Sequence, residues 1–162
     1  MGRMNHHVTL TLFITAFFFA CVSPKKGEQG RNNEKKWYLS VEETACFGSC
    51  PMYKIVLDGS GRARMHGKRF VEPLGVSTAI VSDTLLASLV NSTATAKWEN
   101  YEEEYISGYS DWPSTIVCYS IIPGDTFTVT FQNKLAPAPV TQLADRLISL
   151  RKRANWISQT ID

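Results

Sequence analysis

Apolar and polar positions begin to alternate with a period of two at Trp37. Trp37, Leu39 and Val41 fall on one face and Tyr38, Ser40 and Glu42 on the other, the pattern of a half-buried strand. Tyr53, Ile55 and Leu57 repeat it. The string Asp58-Gly59-Ser60-Gly61 tolerates positive φ and predicts a tight reversal into a returning strand over Arg62 to Gly67. Phe70-Val71 predicts a short extension of this meander before Pro73 and Gly75.

The period then changes to that of a helix. Ser82-Asp83 predicts a cap for a helix with Leu85, Leu86, Leu89 and Val90 on one side, ending near Asn91-Ser92. Ala96 to Pro113 carries little clear period. Thr115 to Ile122 is β-branched and apolar on both faces, as expected of a central strand. Pro123-Gly124-Asp125 turns the chain, and Phe127, Val129 and Phe131 alternate with threonines to complete a hairpin. Pro139 suits a first helical turn, and Val140, Leu143, Ala144, Leu147 and Leu150 form an apolar stripe running into Arg151-Lys152-Arg153. Basic residues suit a helix C-terminus. The expected fold is α+β: an antiparallel sheet built as strand meander, helix, β-hairpin and helix, with the two helices packed on one face.

Ahead of this domain the pattern is of another kind. Residues 1–7 carry one Arg and no acid, and Val8 to Ala20 are uncharged and mostly apolar, the n-region and h-region of an export signal. Thirteen residues make a helix of roughly 20 Å, short of the ~30 Å hydrocarbon core. Phe19-Ala20-Cys21 resembles a bacterial lipobox, with Phe18 and Phe19 standing where such a box usually has Leu and a small polar residue. The resemblance implies that Cys21 is acylated and becomes the first residue of the mature chain. Residues 22–36 are rich in Lys, Gly and Asn and cannot bury enough apolar surface to order, so they read as a tether. The expected organisation is a lipoprotein signal over 1–20, anchor site and flexible tether over 21–36, and one domain over 37–162. The expected location is the cell envelope, on a membrane through the lipid.

Composition sharpens this picture. The 162 residues are 44% hydrophobic and 20% charged, a globular composition. Seventeen basic residues against 15 acidic ones give a net charge of +2. Residues 37–162 alone hold 11 basic and 13 acidic residues, a net charge of −2, so the positive excess belongs to leader and tether. A nucleic-acid partner recognised by bulk charge is therefore not expected.

Three groups of residues are candidates for chemistry. Cys46 and Cys50 stand four apart in a Gly-containing corner between two strands. In an oxidising compartment they would close a disulfide or lie as a buried thiol pair. The alternative is a redox or soft-metal site: two thiolates followed by Pro51 resemble the C-x3-C-P copper site of thioredoxin-like chaperones, which implies Cu(I). Those proteins add a distant His and a βαβ fold, whereas His66 is the one domain histidine and reads as a surface strand residue. Cys118, in the most apolar strand, reads as a buried free thiol. The third group is aromatic and acidic: Trp98, Tyr101, Glu102 and Tyr105, with Asp111 and Trp112 farther on. It reads first as solvated charges on a loop whose aromatics pin it to the sheet, with the same residues as a candidate interaction patch. A glycan-directed enzyme using Glu102, Glu104 or Asp111 is the remaining alternative, but no paired-carboxylate scaffold supports it. No phosphate-binding Gly loop, H-E-x-x-H or G-x-S-x-G is present, and no cofactor is expected, so the balance is against an enzyme.

Thr44-Ala45-Cys46-Phe47-Gly48-Ser49-Cys50-Pro51-Met52-Tyr53, with Asp58-Gly59 and then Asp111-Trp112-Pro113, resembles an uncharacterised family of exported bacterial lipoprotein domains marked by T-A-C-F-G-x-C-P-x-Y, D-G and D-x-P. The resemblance spans roughly residues 38–150. It implies a domain boundary and an exported home, and no particular reaction. The function expected is that of a membrane-anchored binding or structural module of the envelope.

Overall fold

The computed structural model describes residues 36–122 and 124–159. The proposed signal, Cys21 and the tether up to residue 35 lie outside the described residues, and Lys36 opens the first strand. Eight strands form one sheet: β1 (Lys36–Glu43), β2 (Met52–Asp58), β3 (Arg62–Arg69), β4 (Gly75–Ile80), β5 (Glu104–Tyr105), β6 (Ser114–Ile122), β7 (Thr126–Gln132) and β8 (Ile157–Ser158). Their spatial order is β5-β7-β6-β1-β2-β3-β4-β8. Two α-helices, α1 (Asp83–Thr95) and α2 (Ala138–Arg153), and a 3-10 turn at Trp98–Asn100 complete the fold.

The expectation of an antiparallel sheet is overturned, because β5 runs parallel to β7, pairing Glu104 with Thr130 and Tyr105 with Phe131. The element pattern also differs. A 3-10 turn and β5 stand between α1 and the hairpin, and β8 follows α2. The physical reason lies in Ala96 to Pro113, which has no periodicity of its own and is placed by what it packs against. Trp98 sinks into the core while Thr130 N donates to Glu103 O at 2.8 Å. The meander is extended by β4, not by Phe70-Val71. Phe70 has φ +52° and begins the reversal between β3 and β4.

The register lines up one apolar face. Val41 stands opposite Ile55 and Val117, Ile55 opposite Met65, and Val117 opposite Val129. α2 crosses this face over β1, β2 and β6, and α1 lies beside it. Leu89 of α1 and Leu147 of α2 are fully enclosed there, each worth roughly 1.5–3 kcal/mol of burial. Ser82 Oγ caps α1 by accepting from Leu85 N, and α1 continues to Thr95, beyond the expected end. Thr93 holds the two layers together. Its Oγ1 accepts from Trp37 Nε1 at 3.0 Å, and its carbonyl accepts from Trp98 Nε1 at 2.9 Å. Trp98 in turn stacks on Tyr119 and Phe127, with centroids 5.3 and 6.3 Å away.

The opposite face of the sheet carries no helix. Its β6 residues are Ile116, Cys118 and Ser120, paired with Thr130, Thr128 and Thr126. Glu42 on this face pairs with Lys68 at 2.6 Å and Lys54 at 3.6 Å. At the β2–β3 reversal, Asp58 Oδ1 accepts from Ser60 N, and Gly61 takes φ +80°, a conformation open to glycine.

Candidate functional site

The strand directions gather four loops at one end of the sheet. β1, β3, β5 and β7 finish there, and β2, β4 and β6 begin there. The loops are 44–51, 70–74, 106–113 and 133–137. They carry seven of the eleven large hydrophobic side chains exposed among the described residues. The chain enters β1 at the other end, at Lys36.

Loop 44–51 is closed by the cysteine pair. Cys46 and Cys50 stand at disulfide distance, with Cα atoms 5.8 Å apart. Between them Phe47 is 90% exposed. Its position is fixed from outside the loop, since Phe47 N donates to Asp111 O at 3.2 Å. Thr44 adds two further ties, donating from N to Ser114 O and accepting at Oγ1 from Ser114 N at 2.8 Å. Next to it Tyr109 and Trp112 stack with centroids 5.1 Å apart, 64% and 39% exposed. Gln132 pins that loop from within: Oε1 accepts from Ser107 N and Oγ, and Nε2 donates to Trp112 O. The result is a rim of aromatic side chains held by covalent and backbone ties, where flexible loops would ordinarily hide such groups.

Beneath the rim, on the core side, lies a polar cluster absent from the sequence-based candidates. Glu43 Oε1 accepts from Thr115 Oγ1 at 2.7 Å. Burial pushes the Glu43 carboxyl above its usual range, opposed by the Thr115 hydrogen bond and the Arg151 charge. Burial, with the nearby Glu43 charge, pushes the Tyr53 hydroxyl up to about 12. The Arg151 guanidinium lies 5.4 Å from the Tyr53 ring centroid. The period-two pattern marks Glu43 as core-facing once Leu39 and Val41 are assigned, and that is the signal that could have found it.

The expected interaction patch is split. Trp98 is 4% exposed and belongs to the core. Tyr101 packs edge-on against it, and Tyr105 is half-buried with its hydroxyl accepting from Glu102 N. Only Asp111 and Trp112 reach the rim, joined there by Phe47 and Tyr109. Glu102 and Glu104 are exposed at the β5 margin of the sheet. Cys118 is half-buried on the helix-free face, opposite Ser40 and Thr128, rather than buried in the core. It lies four strand residues from Ser114, about 13 Å along β6 from the clasped corner, so the three thiols do not converge. His66 sits exposed on β3 opposite Lys54 and Val76. Among the described residues no group of three or more His, Cys, Asp or Glu is placed to hold a metal ion. Sulfurs bonded to each other must first be reduced before they can serve as Cu(I) thiolates.

Geometry therefore defines a class: a single mixed sheet covered on one face by two helices, displaying a clasped aromatic rim at one end. Residues 38–151 match DUF6438, a domain of unknown function, and the chain belongs to that family. A comparison with curated proteins finds no match. Among the described residues no helix is long and apolar enough to cross a membrane.

Proposed function

We propose that this chain is an exported, lipid-anchored binding module of the cell envelope, attached through Cys21 and docking an envelope protein through the rim around Phe47. The observation that carries the docking is Phe47 itself, almost fully exposed yet fixed by the Cys46–Cys50 clasp and by Asp111. Aromatic anchors held in one conformation lose little entropy on binding and dominate interface energetics. β1 begins with Lys36 at the end of the sheet opposite the rim. The uncharged stretch Val8–Ala20 followed by Cys21 supports the anchor.

Intact mass of the protein extracted from its native membrane, before and after reduction and chelation, tests the anchor and the clasp together. The expected mass is that of a chain beginning at acylated Cys21, gaining two hydrogens on reduction. A chain retaining residues 1–20, or an unacylated one, overturns the lipoprotein reading. For the rim, a photo-crosslinker placed at position 47 should give a discrete protein adduct that Tyr109→Ser abolishes, and one placed at Ser88 should not. The same adduct from both positions excludes the rim.

A further inference from the structure

A second site lies on the helical side, and none of the rim aromatics lines it. Between the C-terminal turn of α1, the 3-10 turn and the start of α2 is an open cleft of about 490 Å³, within the range of about 300–1,000 Å³ typical of small-molecule sites. Two cations line it, Lys97 and Arg146, and none of its lining residues is acidic. Arg146 is held in place by neutral groups alone: Nη1 donates to Ser92 Oγ at 3.1 Å and Nη2 to Ser88 Oγ at 2.7 Å. Neither Arg146 nor Lys97 has a carboxylate partner among the described residues. The neighbouring acid, Asp145, is engaged by Lys134 at 2.9 Å.

An arginine fixed between two helices without an anionic partner keeps most of its donors free, in a fork suited to planar or tetrahedral oxyanions. Around it the cleft offers neutral hydrogen-bonding groups from Thr95, Asn100 and Gln142, and an aromatic wall in Tyr101. Tyr101 is oriented edge-on by Trp98, with centroids 6.0 Å apart. Leu143 and Pro139 close the apolar side. Amide and hydroxyl groups beside an aromatic wall suit a polyhydroxylated ring, and the cations suit one negative charge upon it. We infer that this cleft binds an anionic saccharide unit, a sugar bearing one carboxylate or phosphate, with Arg146 and Lys97 taking the charge. The site shares no lining residue with the rim.

Calorimetric titration of the full chain with galacturonate and glucose 1-phosphate, against galactose and glucose, tests this. At least one anionic sugar should bind saturably, about tenfold or more tighter than its neutral counterpart. Arg146→Gln and Lys97→Gln should each weaken it severalfold, whereas Arg64→Gln, an equal charge change on the helix-free face, should leave it unaltered. Lys97 is exposed, so its variant decides the question where Arg146→Gln loosens the helix pair. The inference is overturned if neither anionic sugar binds, if neutral sugars bind as well, if Lys97→Gln has no effect, or if Arg64→Gln weakens binding equally.

Discussion

Glu42 and Glu43 are neighbours on β1 that point to opposite faces, and their surroundings push their carboxyls in opposite directions. The hydrogen bond from Lys68 leads in lowering Glu42 against its partial desolvation, while burial leads in raising Glu43. The ordinary value of both is 4.5. Glu42 therefore contributes stability that is full above 4.5 and lost as pH falls through its lowered folded value. Glu43 does the reverse: the folded state holds its proton longer, so stability falls as pH rises from 4.5 through its raised value, then levels. Melting curves across this range should show Glu42→Gln less stable than wild type at neutral pH, the gap closing in acid. Glu43→Gln should match wild type in acid and exceed it at neutral pH. Parallel pH profiles for the two variants would contradict the assignment. At this scale the sequence was legible where a residue type matched its face, as at Leu39, Val41 and Ile55. For Trp98 it was legible in part: the aromatics of its acidic loop were expected to pin that loop to the sheet, but the alternation did not show which ring would sink against Thr93, Tyr119 and Phe127.

Elements are readable from sequence when their inward side chains are the larger apolar ones. That condition holds in β1, β2, β7 and α2, and it fails in β4. There Ser77 and Ala79 face the helices, Ser77 fully buried, while Val76 and Ile80 face outward. β5 and β8 are two residues each, too short for any period. Gly67 in β3 is explained by the neighbouring reversal, since a Cβ there would collide with the carbonyl of Pro73. The clasped corner is an element in its own right. Closing so small a ring removes only about 2 kcal/mol of chain entropy from the unfolded state. Reduction, or Cys46→Ser with Cys50→Ser, should lower stability by about that amount in denaturant melts while leaving the domain folded. Hydrogen exchange should quicken across 44–51 and the adjoining 109–112 segment, which share the bond from Phe47 to Asp111. Global unfolding on reduction would show that the corner nucleates more of the fold than its ring size permits.

Across the whole molecule, the sheet is finished at both margins by two-residue strands. β8 covers part of β4, pairing Ser77 with Ser158 and Thr78 with Ile157, and β5 covers β7. Short margins leave little unpaired backbone for another chain to extend. A chain ending at Trp156 should keep its core, because Trp156 still donates to the carbonyls of Leu150 and Arg151, yet bare the β4 edge. Sedimentation should then show more self-association than the full chain; an unchanged profile would mean that β8 does not guard the edge. Charge is distributed unevenly over the same sheet. Lys54, Arg62, Arg64, Lys68 and Arg69 crowd β2 and β3, while Glu102, Glu103 and Glu104 sit at the β5 margin. Neither the margins nor this polarity was legible beforehand, because both depend on strand order, which is set by long-range pairing rather than by local pattern. The helix-free face explains the misplacement of Cys118. A strand apolar on both sides suggested cover on both, whereas here Ile116 and Cys118 are only half-buried beside threonines.

The placement of two indoles gives the molecule its own optical instrument. Trp98, dry and packed against both Tyr119 and Phe127, will emit to the blue and receive energy from Tyr119, so its red shift reports loss of the core. Trp112, open to solvent and stacked on Tyr109, will emit to the red and answer to external quenchers, so its shielding reports occupancy of the rim. With the half-buried Trp37 and Trp156 replaced by Phe, unfolding and docking become separable by colour in the unlabelled protein.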